Sequence, residues 1–461
     1  MRIEKDSMGE MQVPEDALYG ASTQRAVLNF PISGHRMPEA FIKGLGLVKF
    51  ACATANEQLG RLSTEKAELI RRACEEVYEG KLSEHFPLDV FQTGSGTSSN
   101  MNLNEVVSNR ACQYAGTPIA SKDPIHPNDD VNMGQSSNDI VPTVLHVSLA
   151  LAIKDKLVPA LQHLHDELDA KAEAFKDIIK IGRTHLMDAT PLSLGQEFSG
   201  YAAQVQKGVV RAQECVDRLE ELAIGGTAVG TGINCHPEFP GKVCEILRER
   251  TGVGFREADN HFEAQAGRDD CVEVAGILTT IAVSLNKIAS DIRLLGSGPR
   301  SGLGELLLPS TQPGSSIMPG KVNPVMSEML VQVSIYVTAM GNMVAMCGRD
   351  GHFELNVTIP AIAHALHDSV EVLSNGAETF ADKCVNGIQP NLEAIKNHVD
   401  RSLMLVTALN PYIGYDNAAK VAKAAFAEGK TLKEVLLEQK LMEEADIDKA
   451  LDPRDMIHPK A

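Results

Sequence analysis

The chain has 461 residues, of which 61 are acidic and 43 basic, and its formal net charge is −18. This length supports two or three domains and a large core. Only 4% of the residues are aromatic and Trp is absent, so the core is predicted to be aliphatic, which favours helices over sheets. The acidic balance argues against nucleic acid or an anionic membrane as a partner, because like charges repel.

The nine cysteines are scattered, and no pair has the CxxC spacing of common zinc or iron–sulfur sites. An odd, unclustered set indicates reduced thiols in a reducing compartment, so we expect a cytoplasmic protein without a bound metal. The first twenty residues contain no apolar segment, so the sequence predicts neither a signal nor a transit peptide. Met329–Cys347 carries no charge and is interpreted as a helix buried on all sides within a bundle rather than a membrane span.

Helical periodicity and composition divide the chain into three predicted domains. Residues 1–134 form a mixed N-terminal domain, 135–390 a central bundle of five long helices, and 391–461 a small C-terminal helical domain. In the first of these, a helical pattern at 39–77 precedes a polar loop that leads into a helix near Asn104.

The five long helices of the central domain have apolar residues at spacings of three and four. Their predicted spans are 141–175 with Pro159 as a kink, 196–223, 277–295, 325–347 and 362–385. In the third, isoleucine and leucine recur in the pattern typical of a bundle seam. More faces are apolar than one bundle can bury, so we expect an elongated bundle that packs against copies of itself as a dimer or tetramer.

Four polar clusters interrupt the helical pattern: 93–100 (TGSGTSSN), 135–139 (QSSND), 182–188 (GRTHLMD) and 314–324 (GSSIMPGKVNP). Amides and hydroxyls at the first turn of a helix bind anions, but they also serve as ordinary caps, so the first two clusters fit either role. His185 in the third is a candidate general acid or base, with a structural histidine as the alternative. The fourth is either a functional loop between rigid elements or an ordinary surface connector.

The fourth cluster closely matches the signature of the fumarase/aspartase superfamily, and the whole chain resembles the class II fumarases. The matching segments are ALYGASTQRA, TGSGTSSNMNLNE, HPNDDVN, QSSND, GRTHLMDATPLSLGQE, GGTAVGTG, SGPRSGLGE and NPYIGYDNAAK. The resemblance implies a mainly α, three-domain subunit and a homotetramer with a central core of twenty helices, in which three subunits contribute to each active site. It also implies a lyase that reversibly hydrates fumarate to L-malate in the tricarboxylic acid cycle, without a metal or cofactor.

Site residues follow from the resemblance position by position. It implies Ser315 as the catalytic base, His185 as the second acid–base residue and Glu328 as the carboxylate that partners His185. It also implies a set of substrate-binding positions: Ser95, Gly96, Thr97, Ser136, Ser137, Asn138, Thr184, Ser316, Lys321, Val322 and Asn323.

The choice of base is the point at which residue chemistry and resemblance differ. Residue types alone favour His185, because a neutral serine is a very weak base. Ser315 can serve only if its alkoxide is stabilised, for which the backbone amides of 314–320 and the Lys321 ammonium are candidates. His185, held by Glu328, would then relay a proton or activate water.

The class II fumarases have a second dicarboxylate site at a His-Pro-Asn-Asp motif, which here is His126, Pro127, Asn128 and Asp129. The arginine that usually lies three residues before this histidine is replaced by Asp123. A carboxylate at that position would weaken binding of a dianion. The motif is therefore either a second site or an ordinary proline-containing turn.

Other members of the superfamily and a non-enzymatic homologue are the alternatives. An aspartate ammonia-lyase of the same superfamily usually carries glutamine where this chain has His185, so the histidine favours water over ammonia. Argininosuccinate and adenylosuccinate lyases share the loop at 314–324 only loosely. A non-enzymatic structural homologue could lose Ser315, His185 or Lys321, and all three are present.

Overall fold

The computed structural model describes residues 1–459 and is mainly helical. Its α-helices are Ala21–Asn29, Glu39–Gln58, Thr64–Tyr78, Thr97–Ala115, Ser137–Ala152, Val158–Ala174, Leu194–Arg218, Phe239–Thr251, His261–Ala266, Asp269–Leu295, Val325–Arg349, Ile359–Phe380, Leu392–Arg401, Asn410–Ile413, Tyr415–Glu428, Leu432–Glu438 and Glu444–Ala450. Short π-helices lie at Pro127–Val131, Ile153–Leu157 and Ala381–Val385. Short 3₁₀ segments lie at Ser83–His85, Leu403–Leu409 and Pro453–Met456.

The strands form four small two-stranded sheets. Three are antiparallel pairs: Arg2–Asp6 with Gly9–Val13, Ile179–Thr184 with Met187–Ser193, and Leu306–Leu307 with Gln389–Pro390. Glu221–Leu222 pairs in parallel with Arg256–Glu257. The aliphatic composition therefore leads to a helical architecture, as predicted. Each sheet is limited to one pair of short strands.

The chain divides into two compact units, and each takes three stretches of the sequence. The first contains Met1–Pro159, Val209–Val283 and Val333–Asn375, and the second contains Ala160–Gly208, Ser284–Gln332 and the chain from Gly376 onward. The division into three domains that the sequence suggests stays a prediction.

The five long helices predicted for the central region are present. The first begins at Ser137 and continues through the π-helix Ile153–Leu157 to Ala174. Pro159 lies two residues after the end of that π-helix, where the irregular turn accommodates a residue without an N–H. In the helix Asp269–Leu295, the predicted seam is buried at Ile281, Leu285, Ile288, Ile292 and Leu295.

The helix predicted to begin near Asn104 begins at Thr97 instead. The prediction was wrong because residues such as serine and asparagine often compete with the helical backbone for hydrogen bonds. Here they have other partners. The Ser99 N–H and hydroxyl, for example, both donate to Oε1 of Gln92, at 3.0 and 2.8 Å. Tertiary contacts thus allow a polar segment to be a buried helix.

The helix Val325–Arg349 was predicted to be buried on all sides, and within one chain this is wrong. Leu330, Val337 and Val344 are buried, but Ile335 is 64% and Met346 55% exposed. A single chain therefore covers one face and leaves an apolar face open. By length and composition alone, this helix and Asp269–Leu295 could cross a membrane, a test that long core helices of soluble proteins also pass.

The C-terminal region packs around an aliphatic cluster of its own. Its buried residues are Leu405, Leu409, Ala418, Val421, Ala425, Leu432, Val435, Leu436, Ile447 and Ala450. Short amphipathic helices joined by tight turns supply these side chains, which agrees with the short, charged helices expected there.

Candidate active site

Ser315 lies in a loop whose backbone folds back on itself. The Gly314 N–H donates to the Lys321 carbonyl at 2.8 Å, and Nδ2 of Asn323 donates to the Gly314 carbonyl at 2.6 Å. A Cβ on Gly314 would lie 2.4 Å from the Lys321 carbonyl oxygen, so the closed loop requires glycine there. The loop therefore fixes the backbone on both sides of Ser315.

The Ser315 hydroxyl oxygen accepts hydrogen bonds from two backbone N–H groups. The donors are Met318 at 2.9 Å and Ile317 at 3.3 Å. Two amides directed at one oxygen stabilise negative charge on it. This is the stabilisation that a serine needs if it is to act as a base.

Charged and polar groups of the same loop face solvent. Ser316, Lys321 and Val322 are exposed, and Asn323 is half-buried. Among residues 1–459, no ion pair includes the Lys321 ammonium, so its charge is free to meet an anion. Glu328 lies in the first turn of the helix that follows this loop.

His185 lies at the tip of the β-hairpin Ile179–Ser193, in a two-residue turn with Leu186. Both residues have positive φ, at 55° and 62°. Two central residues with positive φ define a type I′ turn, which normally takes Asn or Gly. His185 is exposed and Leu186 is 75% exposed. The fold holds two residues other than glycine in the left-handed region at a sharp turn, a feature found at functional sites.

The base of this hairpin is anchored by Glu305, a residue that the sequence analysis missed. Its side chain is fully buried and accepts from Arg183 at 2.7 Å and from His398 at 3.0 Å, with the Lys180 ammonium 3.1 Å away. Burial alone would raise the pKa of Glu305, but the Arg183 hydrogen bond and the two nearby cations bring this pKa below its usual value. An ionised carboxylate therefore holds the strand that leads to His185.

In the first unit, two of the predicted polar clusters lie side by side. The helices Thr97–Ala115 and Ser137–Ala152 begin close together, because Nδ2 of Asn100 donates to the Ser137 hydroxyl oxygen at 3.0 Å. The Ser95 and Thr97 hydroxyls are 2.9 Å apart at the start of the first helix. Two helix N-termini at one place supply unpaired N–H groups and partial positive charge, which favours an anion.

The turn before Thr97 has no room for side chains. A Cβ on Gly94 would lie 1.7 Å from the carbonyl oxygen of Val357, and the Gly94 carbonyl accepts from the Ile359 N–H at 3.0 Å. Gly96 has a φ of 73°. Close contact with the Val357 backbone therefore requires glycine at position 94, and the left-handed φ favours glycine at position 96.

The start of the second helix rests on Asp139. This buried carboxylate accepts from the N–H groups of Ser136, Gly225 and Thr227, at 2.9, 3.0 and 2.9 Å. Burial raises the pKa of Asp139, although the three N–H groups favour its charged form. Nδ2 of Asn138 donates to the carbonyl of Ala228 at 2.8 Å. The GGTAVGTG segment therefore supports the QSSND cluster.

A cavity of about 500 Å³ adjoins the His-Pro-Asn-Asp motif. His126, Pro127 and Asn128 line it, together with Lys122, whereas Asp123 does not. Nδ1 of His126 accepts from the Asn128 N–H at 3.3 Å and caps the π-helix that follows. The cavity therefore has a cation next to the position where the family arginine is replaced, but the carboxylates of Glu4, Asp6 and Glu105 line it as well.

Comparison with known proteins shows which family has this arrangement. A family model described as lyase matches residues 9–339, and one described as fumarase C C-terminus matches 405–458. The class II fumarate hydratase of Neisseria meningitidis serogroup A is 51% identical over 100% of this chain and 99% of its own. The mitochondrial fumarate hydratase of Homo sapiens is 52% identical over 100% of this chain and 90% of its own. The chain belongs to the class II fumarate hydratase family.

Solved structures agree with this assignment. A class II fumarase from Schistosoma mansoni superposes with a TM-score of 0.97 at 41% identity and covers 100% of both chains. A structure titled fumarate lyase:delta crystallin from Brucella melitensis, bound to cobalt, has a TM-score of 0.96 at 42% identity and covers 99% of this chain and 100% of that one. The mainly helical subunit expected from the resemblance to class II fumarases is thereby confirmed.

Within one chain of this fumarase-family protein, the predicted site residues form separate groups. Ser315, Lys321 and Asn323 share one loop, whereas His185 and Thr184 share the hairpin. In residues 1–459, no hydrogen bond or ion pair joins His185 to Ser315 or to Glu328. The cluster at 95–97 and the cluster at 136–138 meet through Asn100.

The sequence analysis gave no role to several buried polar residues beneath these groups. Glu305 lies within the quoted SGPRSGLGE segment, but nothing in one sequence indicates that it binds Arg183, 122 residues earlier. Lys49 interrupts an apolar helical face, and Asn132 belongs to the HPNDDVN segment. A charged residue in an otherwise apolar helix face is the signal that would have found Lys49.

Proposed function

We propose that this protein reversibly adds water to fumarate to form L-malate, the hydro-lyase step of the tricarboxylic acid cycle. The observation that carries the proposal is that the Ser315 hydroxyl oxygen accepts hydrogen bonds from two backbone N–H groups inside the fumarase signature loop. The relatives named fumarate hydratase, at about half identity over the full length, support the same activity.

In the direction from malate to fumarate, Ser315 as an alkoxide takes the proton from C3. The N–H groups of Ile317 and Met318 and the charge of Lys321 stabilise this alkoxide before the transfer. Negative charge then builds on the carboxylate next to C3, where preorganised donors hold it. His185 in its protonated form gives a proton to the C2 hydroxyl, which leaves as water. Hydration is the same sequence reversed.

Substrate binding needs donors for two carboxylates at a fixed separation. We assign this role to two sets of residues: Ser95, Gly96, Thr97, Ser136, Ser137 and Asn138, and Thr184, Ser316, Lys321, Val322 and Asn323. The first set combines hydroxyls with helix N-termini, and the second supplies an ammonium and an amide. Charge-assisted hydrogen bonds of this kind favour a dianion over a neutral molecule.

We further propose a homotetramer in which three subunits contribute to each active site. Two observations support it. His185 makes no hydrogen bond or ion pair with Glu328 within residues 1–459, and a contact between two subunits would account for the expected partnership. The helix Val325–Arg349 also leaves an apolar face exposed, at Ile335 and Met346. A twenty-helix core would cover that face.

A cytoplasmic location and a second dicarboxylate site complete the proposal. All nine cysteines are free thiols, which suits a reducing compartment.

For the second site, Lys122 and His126 in the 500 Å³ cavity would supply the cation and the hydrogen-bond donor that Asp123 cannot supply. His126, Pro127 and Asn128 would form one wall of this site, with Asp129 next to them in the chain.

The test of the function is to incubate the purified protein with fumarate, with and without ammonium, and to follow the products by proton NMR. We expect malate at the same rate in both samples, because His185 suits water activation. Aspartate formed only with ammonium would instead identify an aspartate ammonia-lyase. Absence of any turnover, with the oligomer intact, would favour a non-enzymatic homologue.

A further inference from the structure

Lys49 is a buried cation with no acidic partner in contact. It lies in the helix Glu39–Gln58, and its side chain is 1% exposed. Its ammonium donates to Oδ1 of Asn132 at 2.8 Å. In residues 1–459, no ion pair includes Lys49. A buried charge without a counter-ion is unfavourable for folding, so its presence calls for a function.

Asn132 is the centre of a small buried network. Its Oδ1 accepts from Lys49 and also from Nδ2 of Asn100 at 3.2 Å and Nδ2 of Asn104 at 3.4 Å. Its own Nδ2 donates to the carbonyl of Gln135 at 3.1 Å. Because an ammonium is a donor only, Lys49 fixes which end of the Asn132 amide carries the oxygen.

The orientation of the Asn132 amide determines that of the Asn100 amide, which in turn determines whether the Ser137 hydroxyl donates or accepts. Asn100 has two hydrogens on Nδ2, and they go to Asn132 and to the Ser137 hydroxyl oxygen at 3.0 Å. Ser137 therefore accepts from inside the protein, and its one hydrogen is left to donate elsewhere. If the Asn100 amide were flipped, Ser137 would donate to it and lose that hydrogen for a ligand.

We propose that Lys49 is a positioning residue that acts through Asn132 and Asn100 to keep the Ser137 hydroxyl as a donor toward a substrate carboxylate. The inference rests on the proposed function, since the contact between Ser137 and the substrate is part of it. The ammonium also adds positive charge beneath the two helix N-termini at Thr97 and Ser137, which favours a dianion there.

The network has a distinctive pH dependence. Burial lowers the pKa of Lys49 to about 8. Three titratable groups face it: Cys52 on the same helix, Cys74 on the next helix, and Asp139. Burial raises the pKa of both thiols, that of Cys74 to about 12, so they stay neutral through pH 9. A neutral amine can also accept a hydrogen bond, so above pH 8 it no longer fixes Asn132, and dicarboxylate binding should weaken.

The experiment is a calorimetric titration with succinate, a four-carbon dicarboxylate that cannot undergo the reaction, at pH 7 and pH 9. We expect Lys49→Met to bind succinate about tenfold or more weakly at pH 7, the usual worth of a hydrogen bond to a charged group. The variant should also lose the decline in affinity that the unmodified protein shows between pH 7 and 9. In turnover, KM should rise by a similar factor while kcat changes less.

Two further variants make the result specific. Cys74→Ala removes a buried side chain that faces Lys49 but has no link to Asn132, and it should bind succinate normally. Ser137→Ala should weaken binding, and adding Lys49→Met to it should weaken binding by clearly less than Lys49→Met does alone, because the hydrogen-bonded part of the Lys49 effect passes through that hydroxyl.

Several outcomes would overturn the inference: unchanged succinate affinity in Lys49→Met, equal losses in Cys74→Ala, or full additivity with Ser137→Ala. If Lys49→Met does not fold, Asn100→Leu breaks the same link, and normal binding by that variant would overturn it as well. Because the readout is binding, a protein that binds succinate but does not turn over fumarate would contradict the proposed function alone.

Discussion

Replacing Ser315 with alanine is expected to lower kcat by about 10²–10⁴-fold, the usual contribution of a positioned acid or base. Its hydroxyl oxygen is the atom on which the N–H groups of Ile317 and Met318 converge. Steady-state kinetics with fumarate and with malate would both show the loss, because one group handles the C3 proton in both directions.

The matched control is the neighbouring hydroxyl. Ser316→Ala removes an exposed side chain that we assign to carboxylate binding, so it should raise KM more than it lowers kcat. Both variants should keep the oligomeric state of the unmodified protein, measured by light scattering. Near-normal kcat in Ser315→Ala would remove serine as the base and return that role to His185.

Replacing Glu305 with leucine is expected to lower the free energy of unfolding by about 3–5 kcal/mol, since it leaves buried charges without their partner. The carboxylate is fully buried against Arg183, Lys180 and His398. Urea denaturation at pH 7 would measure the loss. Turnover should fall as well, because Arg183 lies on the strand that ends next to His185.

The stability that Glu305 contributes should depend on pH in a defined direction. The pKa of Glu305 is lower in the folded protein than its ordinary 4.5, so its contribution is present above pH 4.5 and is lost as the pH falls below it. The difference between the Glu305→Leu variant and the unmodified protein should therefore shrink in acid. Glu197→Gln is the control, because Lys180 keeps Glu305 as a partner. Equal destabilisation by both changes would contradict the special role of Glu305.

Regular periodicity is what made much of the fold predictable. The seam of Ile281, Leu285, Ile288 and Ile292 could be read from spacing alone, because a helix that buries one face repeats every three or four residues. The start of the helix at Thr97 could not be predicted in this way. Serine and asparagine are ordinarily poor in a helix interior, and here partners outside the helix, such as Gln92, satisfy them and allow a buried helix.

The site was predictable only where its residues form continuous motifs. Ser315 and Lys321 lie in one loop, so the loop could be recognised as a unit. The network from Lys49 to Asn132 joins residues 83 positions apart, and the bond from Arg183 to Glu305 joins residues 122 apart. Such pairings depend on how helices and hairpins pack, which a single sequence does not specify.

The exposed apolar face of Val325–Arg349 concerns packing between chains. Its composition suggested complete burial, but one chain covers only the side of Leu330, Val337 and Val344. The remaining apolar surface needs a partner, and a second copy of this chain is the partner that the proposed tetramer supplies.

The central claim is that Ser315 of one subunit and His185 of another act in the same active site. The direct measurement mixes two inactive variants, Ser315→Ala and His185→Asn, unfolds and refolds them together, and assays fumarate turnover. If each site takes these residues from different subunits, random tetramers should recover about a quarter of normal activity, since that share of sites has both residues intact. Activity no higher than that of the separate variants would contradict a shared site.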